Sequence, residues 1–230
     1  MNAVMDYFRN NYYIGLLAHL FAIVAIFIVR RQKRRELKIF ELYLLVYIFN
    51  ELPFYIATAL FQSVNRTILF ISGLEDYLFT VFEFFVFYVY IYKALEGTNR
   101  SVIRLLSLVY YLTSAVVFLK VLIVDRFSLE VLQNAFILQA ILLLFLCVLY
   151  FLKIFNSKPT LDLINEPSFW IITGLTCCLL CTFPLTLLLN NIFQKNYLLY
   201  SHLFSIFYFF YVILFIMIIR ASLCKNSIAV

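Results

Sequence analysis

Four acids, two histidines and an asparagine sit inside stretches that otherwise carry almost nothing polar. The run GLEDYLFTVFEFFVFYVYIYKAL, residues 73–95, holds Glu75, Asp76 and Glu83, and NELPFY holds Asn50 and Glu51. His19 and His202 each stand alone among apolar neighbours. Grouped inside a bundle, such side chains could hold a small molecule or a proton. As His202 with Asp76 or Glu75 they could serve a membrane enzyme. Cys178 and Cys181 spell C-x-x-C, a spacing used by redox and zinc sites, but here it lies in LTCCLLCTF with no second ligand pair nearby. Those thiols read as small packing residues, and no metal site or catalytic residue is expected.

The elements that must position these groups are helices in a bilayer. Of the 230 residues, 65% are hydrophobic and only 13% charged, about half the charged share of a soluble domain. Apolar runs of 18 or more residues recur along the chain, and none of them alternates as a membrane strand would. Seven spans are predicted, near 12–29, 39–61, 69–92, 103–124, 129–155, 169–189 and 198–219. The expected fold is one all-α domain over residues 1–230, a polytopic bundle of seven transmembrane helices joined by short connections. No stretch is long and polar enough for a soluble catalytic domain.

The net charge of +6 belongs to the ends of these helices rather than to a nucleic-acid surface. Arg30, Arg31, Lys33, Arg34, Arg35 and Lys38 lie between the first two runs. With the N-terminus outside, these residues fall on the cytoplasmic side together with Lys93, Arg100, Arg104, Lys153, Lys158, Arg220 and Lys225. Only Arg9, Arg66, Lys120, Arg126 and Lys195 stay outside. That bias predicts an outer N-terminus and a cytoplasmic C-terminus. The first run reads as a retained anchor, because its positive charge follows the apolar segment instead of preceding it.

Depth then sorts the polar residues. At ~1.5 Å per residue, Glu83 lies roughly 15 Å from Lys93 and Glu51 roughly 18 Å from Ile39. That places His19, Asn50, Glu51 and Glu83 in one layer near the bilayer centre. Glu75, Asp76, Lys120 and His202 form a second layer nearer the outside. Asp76, Thr80 and Glu83 are four and three apart, so they share one helix face. A charge facing lipid at mid-membrane costs about 2.5–3.5 kcal/mol on insertion scales, so Glu51 and Glu83 should point inward. Pro53 and Pro184 each free a carbonyl one turn back, which is expected to add backbone polarity to the interior. The bland alternative is that these groups only hold helices together.

Retinal proteins are excluded, because the seventh run carries no Lys, and hormone-type receptors are excluded by the third run ending in IYKALEG. Three segments, DYLFTVFEFFVFYVYIYKAL, EPSFWIITGL and LLYSHLFSIFYFFYVILF, together resemble a group of small seven-helix integral membrane proteins of Bacteroidota genomes. The matching positions are Glu83–Phe84, Phe169–Trp170–Ile171 and His202. The resemblance implies the seven-helix architecture and a bacterial inner membrane, and it marks Glu83, Trp170 and His202 for attention. The candidate site residues are therefore Glu83, Glu51, Asn50, His19, Asp76, Trp170 and His202. The expected partners are the lipid bilayer, a small molecule in the bundle and a cytoplasmic protein at the basic first loop, with no cofactor and no nucleic acid. A sensory or ligand-binding module is the leading expectation. A small transporter with two parallel three-helix repeats around the fourth span is second, and a membrane-embedded enzyme third.

Overall fold

The computed structural model describes the backbone of residues 2–32, 34–60, 66–96, 100–124, 129–156 and 163–224. Side chains are described within 13–32, 34–50, 73–96, 100–121, 133–156, 163–188 and much of 192–224. These residues are helical with no strand among them. Seven long helices follow in order: α1 Asn2–Arg30, α2 Lys38–Leu60, α3 Arg66–Ala94, α4 Arg100–Val124, α5 Leu129–Asn156, α6 Pro167–Lys195 and α7 Tyr197–Ser222. A single 3₁₀ turn, Leu163–Asn165, precedes α6.

Among the described residues, five helices are long and apolar enough to cross a membrane: α1, α4, α5, α6 and α7. Their outer faces carry exposed Leu, Val and Phe, as on α4 with Leu105, Leu108, Leu112 and Val116. Rows of large exposed apolar side chains on helices of this length and hydropathy are what a lipid-facing surface requires. The chain is an integral membrane protein.

Consecutive helices run in opposite directions, as their facing residues show. Tyr43 lies opposite Glu83, Tyr47 opposite Phe79 and Asn50 opposite Asp76, which sets α2 antiparallel to α3. Tyr77 donates to the Ser114 carbonyl while Phe84 stacks on Tyr110, so α3 and α4 are antiparallel as well. Six helices close a ring in the order α1, α2, α3, α5, α6, α7, and α7 returns to α1. The fourth helix stands outside this ring, packed mainly on α3 and α5 among the described residues.

Small side chains set the tightest approaches. Gly15, Ala18, Ala22 and Ala25 recur at three- and four-residue spacing on the buried face of α1, which packs on α7 and α2. Between α6 and α7, a Cβ at Gly174 would come within 2.7 Å of the Met217 Cβ, so only glycine fits there.

Two sequence expectations need correction. The polar stretch NNIFQKN falls between the predicted sixth and seventh spans, 169–189 and 198–219, yet α6 continues through it to Lys195. Asn196 alone breaks the chain: its N–H donates to the Ile192 carbonyl, and its side chain accepts from the Leu199 N–H. One residue thus ends α6 and caps α7, which leaves no need for a longer turn. Pro184 was expected to open the bundle interior, but Pro184 and Leu180 both face outward. The carbonyl it frees lies on the exposed side. Pro53 falls outside the residues whose side chains are described.

The end that holds Arg30, Lys38, Ala94, Arg100, Asn156, Pro167 and Ser222 is knitted by polar contacts. Lys153 donates to the carbonyls of Ala94 and Glu96, satisfying the C-terminal turn of α3. Arg100 pairs with Glu96 and lies over the Tyr92 ring, and Arg30 approaches Glu41 at 3.9 Å.

Candidate functional site

Glu83 is the centre of the molecule. It sits on α3, the helix that touches α2, α4, α5 and α6, and it is 5% exposed. Its Oε1 accepts a 2.7 Å hydrogen bond from the Tyr43 hydroxyl of α2 and a longer one, 3.4 Å, from the Tyr211 hydroxyl of α7. Its Oε2 accepts from Gln139 Nε2 of α5 at 2.8 Å. One carboxyl therefore joins four helices. Tyr43 and Gln139 are themselves fully buried. No described Lys, Arg or His pairs with Glu83, so the three donors holding it are neutral.

Beside the carboxyl a narrow cleft opens between α5, α6 and α7. Its enclosed part has room for roughly one water molecule. Phe136, Leu175, Leu179, Phe207 and Leu214 form its apolar walls, and Glu83, Cys178, Thr182 and Tyr211 its polar lining. The Thr182 hydroxyl donates to the Cys178 carbonyl one turn back, as threonines in membrane helices commonly do.

The sequence-derived candidates divide into three groups. Asp76, Thr80 and Glu83 do share a face of α3, and that face meets α2. Asn50, however, donates to Asp76 at 3.2 Å rather than to Glu83, and Thr80 donates to the Asp76 carbonyl. The single layer of His19, Asn50, Glu51 and Glu83 is thus replaced by two, about two helical turns apart. The depth estimate failed because it aligned the helix ends. In fact α3 runs past the start of α2 by more than a turn, so Glu83 meets Tyr43 and not Asn50. His19 is joined to the centre through a chain of rings. Its Nδ1 donates to the Gly15 carbonyl, and its ring lies 5.6 Å from Tyr47, which in turn lies 5.4 Å from Tyr211.

Trp170 and His202 take no part in the centre. Trp170 donates from Nε1 to the Ile164 carbonyl and carries the Arg220 guanidinium 5.3 Å over its ring, which pins the 3₁₀ turn to the ends of α6 and α7. His202 is exposed on α7. The side chain of Glu51 lies outside the described residues. The five cysteines are free, and among the described residues no three His, Cys, Asp or Glu converge as metal ligands. Beyond the last helix, burial holds the Cys224 thiol above its ordinary range, against the opposing pull of Arg220 and Arg34.

Sequence reasoning missed Tyr43, Gln139 and Tyr211. Gln139 could have been found, because it is the one polar side chain in the run from Phe136 to Leu146. An amide there has no solvent and must bond a neighbouring helix. The tyrosines carried no such signal, being two of seventeen.

Comparison with protein-family models, with characterised proteins and with solved structures found no match for this chain.

Proposed function

We propose that this is a seven-span protein of the bacterial cytoplasmic membrane, N-terminus outside and C-terminus inside, whose bundle centre binds a small ligand. It is best read as a sensory or ligand-binding module. The observation that carries the reading is Glu83, a buried acid held by neutral donors from three other helices and exposed to a cleft. The clustering of Arg30, Arg31, Arg34, Arg35, Lys38, Lys93, Arg100, Arg104, Lys153 and Arg220 at one end supports the orientation. That same end would offer a cytoplasmic partner its basic surface.

A thermal-shift screen of small metabolites and salts in mild detergent tests the ligand reading. At least one compound should stabilise wild type but not Leu179→Trp, which fills the cleft. A screen in which no compound separates the two proteins would sink it.

A second reading, a small transporter, is favoured by the position of α4. With that helix outside the ring, α1–α3 and α5–α7 form two halves running in the same direction, the arrangement of parallel repeats. Substrate counterflow in vesicles distinguishes it from a sensor.

A further inference from the structure

The partners of Glu83 share one property: each is neutral. Tyr43 and Tyr211 bring hydroxyls and Gln139 an amide, groups whose chemistry includes both giving and taking a hydrogen bond. A lysine or arginine would only donate, and would hold the acid ionised. Among the described residues no ion pair involves Glu83. Its neighbours therefore hold the carboxyl in place without dictating its charge. Gln139 has one engaged end and one idle end. Its Nε2 donates to Glu83 Oε2 at 2.8 Å, while its Oε1 is buried without a hydrogen-bond partner. A turn of about 180° about the last side-chain bond exchanges the two ends.

The two orientations of the amide suit the two forms of the acid. Ionised, Glu83 only accepts, and the amide presents its nitrogen, the orientation seen here. Protonated on Oε2, the acid donates there, and the turned amide presents oxygen to accept. Glu83 Oε1 keeps its bond from Tyr43 throughout. In either orientation one end of the amide is bonded to the acid and the other faces the same apolar surroundings. The space beside the carboxyl favours the same ligand. Its enclosed part holds about one water molecule between mostly apolar walls, so water is the carrier that fits. A hydronium ion arriving there forms the O–H bond on Oε2 and leaves as water. We propose that the ligand of this centre is the proton itself: Glu83 binds and releases it, and the Gln139 amide turns over to hold both forms. This inference rests on the reading of Glu83 as a binding centre and names what it binds.

Other titratable groups face the carboxyl from the helices around it. They are Tyr43 of α2, Tyr110 of α4, Cys178 of α6 and Tyr211 of α7, while α5 presents the Gln139 amide. Phenols and thiols ordinarily keep their protons at neutral pH. Asp76 lies about two turns along α3, paired with Asn50, and His19 stands behind Tyr47. Titration of either would overlap that of Glu83, so Asp76→Asn and His19→Gln accompany the test.

The experiment is pH-difference infrared spectroscopy of the protein in lipid, between about pH 5 and 9, with glutamine side-chain carbonyls isotope-labelled. Wild type should show a protonated-carboxyl band that grows as the pH falls. That band should be absent from Glu83→Gln and present in Asp76→Asn and His19→Gln. With the same midpoint, the labelled amide carbonyl should move to lower frequency, because its oxygen gains a hydrogen bond. Loss of that movement in Gln139→Leu assigns it. In Tyr43→Phe the acid midpoint should rise by about one pH unit, because a hydrogen bond to the charged form is the stronger one. Should Glu83→Gln not fold, the Tyr43→Phe shift identifies the band instead. A spectrum with no band that both titrates and depends on Glu83 or Tyr43 overturns the proposal. So does a labelled carbonyl that stays fixed while the band titrates. If no band titrates while an organic compound still separates wild type from Leu179→Trp, the cleft takes a larger ligand and the proton falls. A titrating acid and amide with no such compound would support the proton and end the search for a larger ligand.

Discussion

Replacing Glu83 by leucine should destabilise the protein in a way that further deletions repair. The substitution removes the acceptor of two fully buried donors, the Tyr43 hydroxyl and Gln139 Nε2. Each stranded donor costs about 1–3 kcal/mol, a gross loss of about 2–6 kcal/mol. Taking a carboxyl out of the bundle centre returns part of that, because buried polar groups are expensive even when partnered. The net expectation is a loss of about 1–3 kcal/mol, or a midpoint lower by roughly 2–12 °C for a chain of this size. Glu83→Gln should stay within about 1 kcal/mol of wild type. Its amide oxygen still accepts from Tyr43, and its amide nitrogen donates to Gln139 Oε1 once the Gln139 amide turns over to present that oxygen. The triple variant Glu83→Leu, Tyr43→Phe, Gln139→Leu strands neither buried donor and should recover to within about 1 kcal/mol. The assay is detergent thermal unfolding of all four proteins under one buffer condition. A Glu83→Leu protein as stable as wild type would refute the hydrogen-bonded hub. So would a triple variant less stable than the single one.

Other outcomes follow from the packing. Gly174→Ala should cost about 1–3 kcal/mol by forcing α6 off α7 at Met217, and an unchanged unfolding midpoint would mean the two helices give way freely. Lys153→Met should lose about 1 kcal/mol and speed hydrogen exchange of the amides near Ala94, whose carbonyl it holds; exchange identical to wild type would show the contact idle. An alkaline phosphatase fused after Val230 should be inactive, and full activity there would reverse the orientation. Intact mass should not change on reduction, because all five thiols are free, whereas a two-dalton difference (one disulfide) would contradict it.

Long apolar runs made the helices legible, since only a helix satisfies its backbone within lipid. The end of α6 was less so. Asn190, Asn191, Gln194 and Lys195 look like a loop by composition, yet they continue a helix where it leaves the apolar zone. The shared face of Asp76 and Glu83 could be read from their spacing, because that periodicity is local. Their partners could not, because the offset between α2 and α3 is set by packing, with Phe40 against Phe87 and Tyr47 against Phe79, not by where either helix begins. Tyr43 and Tyr211 stayed hidden because tyrosine is common throughout the chain and serves equally as packing. The outward turn of Pro184 likewise depends on which face of α6 meets α7, and no feature within α6 itself specifies that.

The hub at Glu83 also orders the protein's birth. Of the helices that hold the carboxyl, synthesis delivers α2 and α3 first, and with them Tyr43 beside Glu83 and Asn50 beside Asp76. Gln139 and Tyr211 reach the ribosome exit 56 and 128 residues after Glu83. A lone acid entering lipid on a single helix meets a barrier of about 2.5–3.5 kcal/mol. Entering as a hairpin, each acid arrives with a donor already beside it. The second and third helices should therefore leave the insertion channel as a pair, and the half-satisfied carboxyl would keep that pair near water or chaperone until α5 and α7 close around it. Closure around the carboxyl then waits for α7, the last of its four helices to be made.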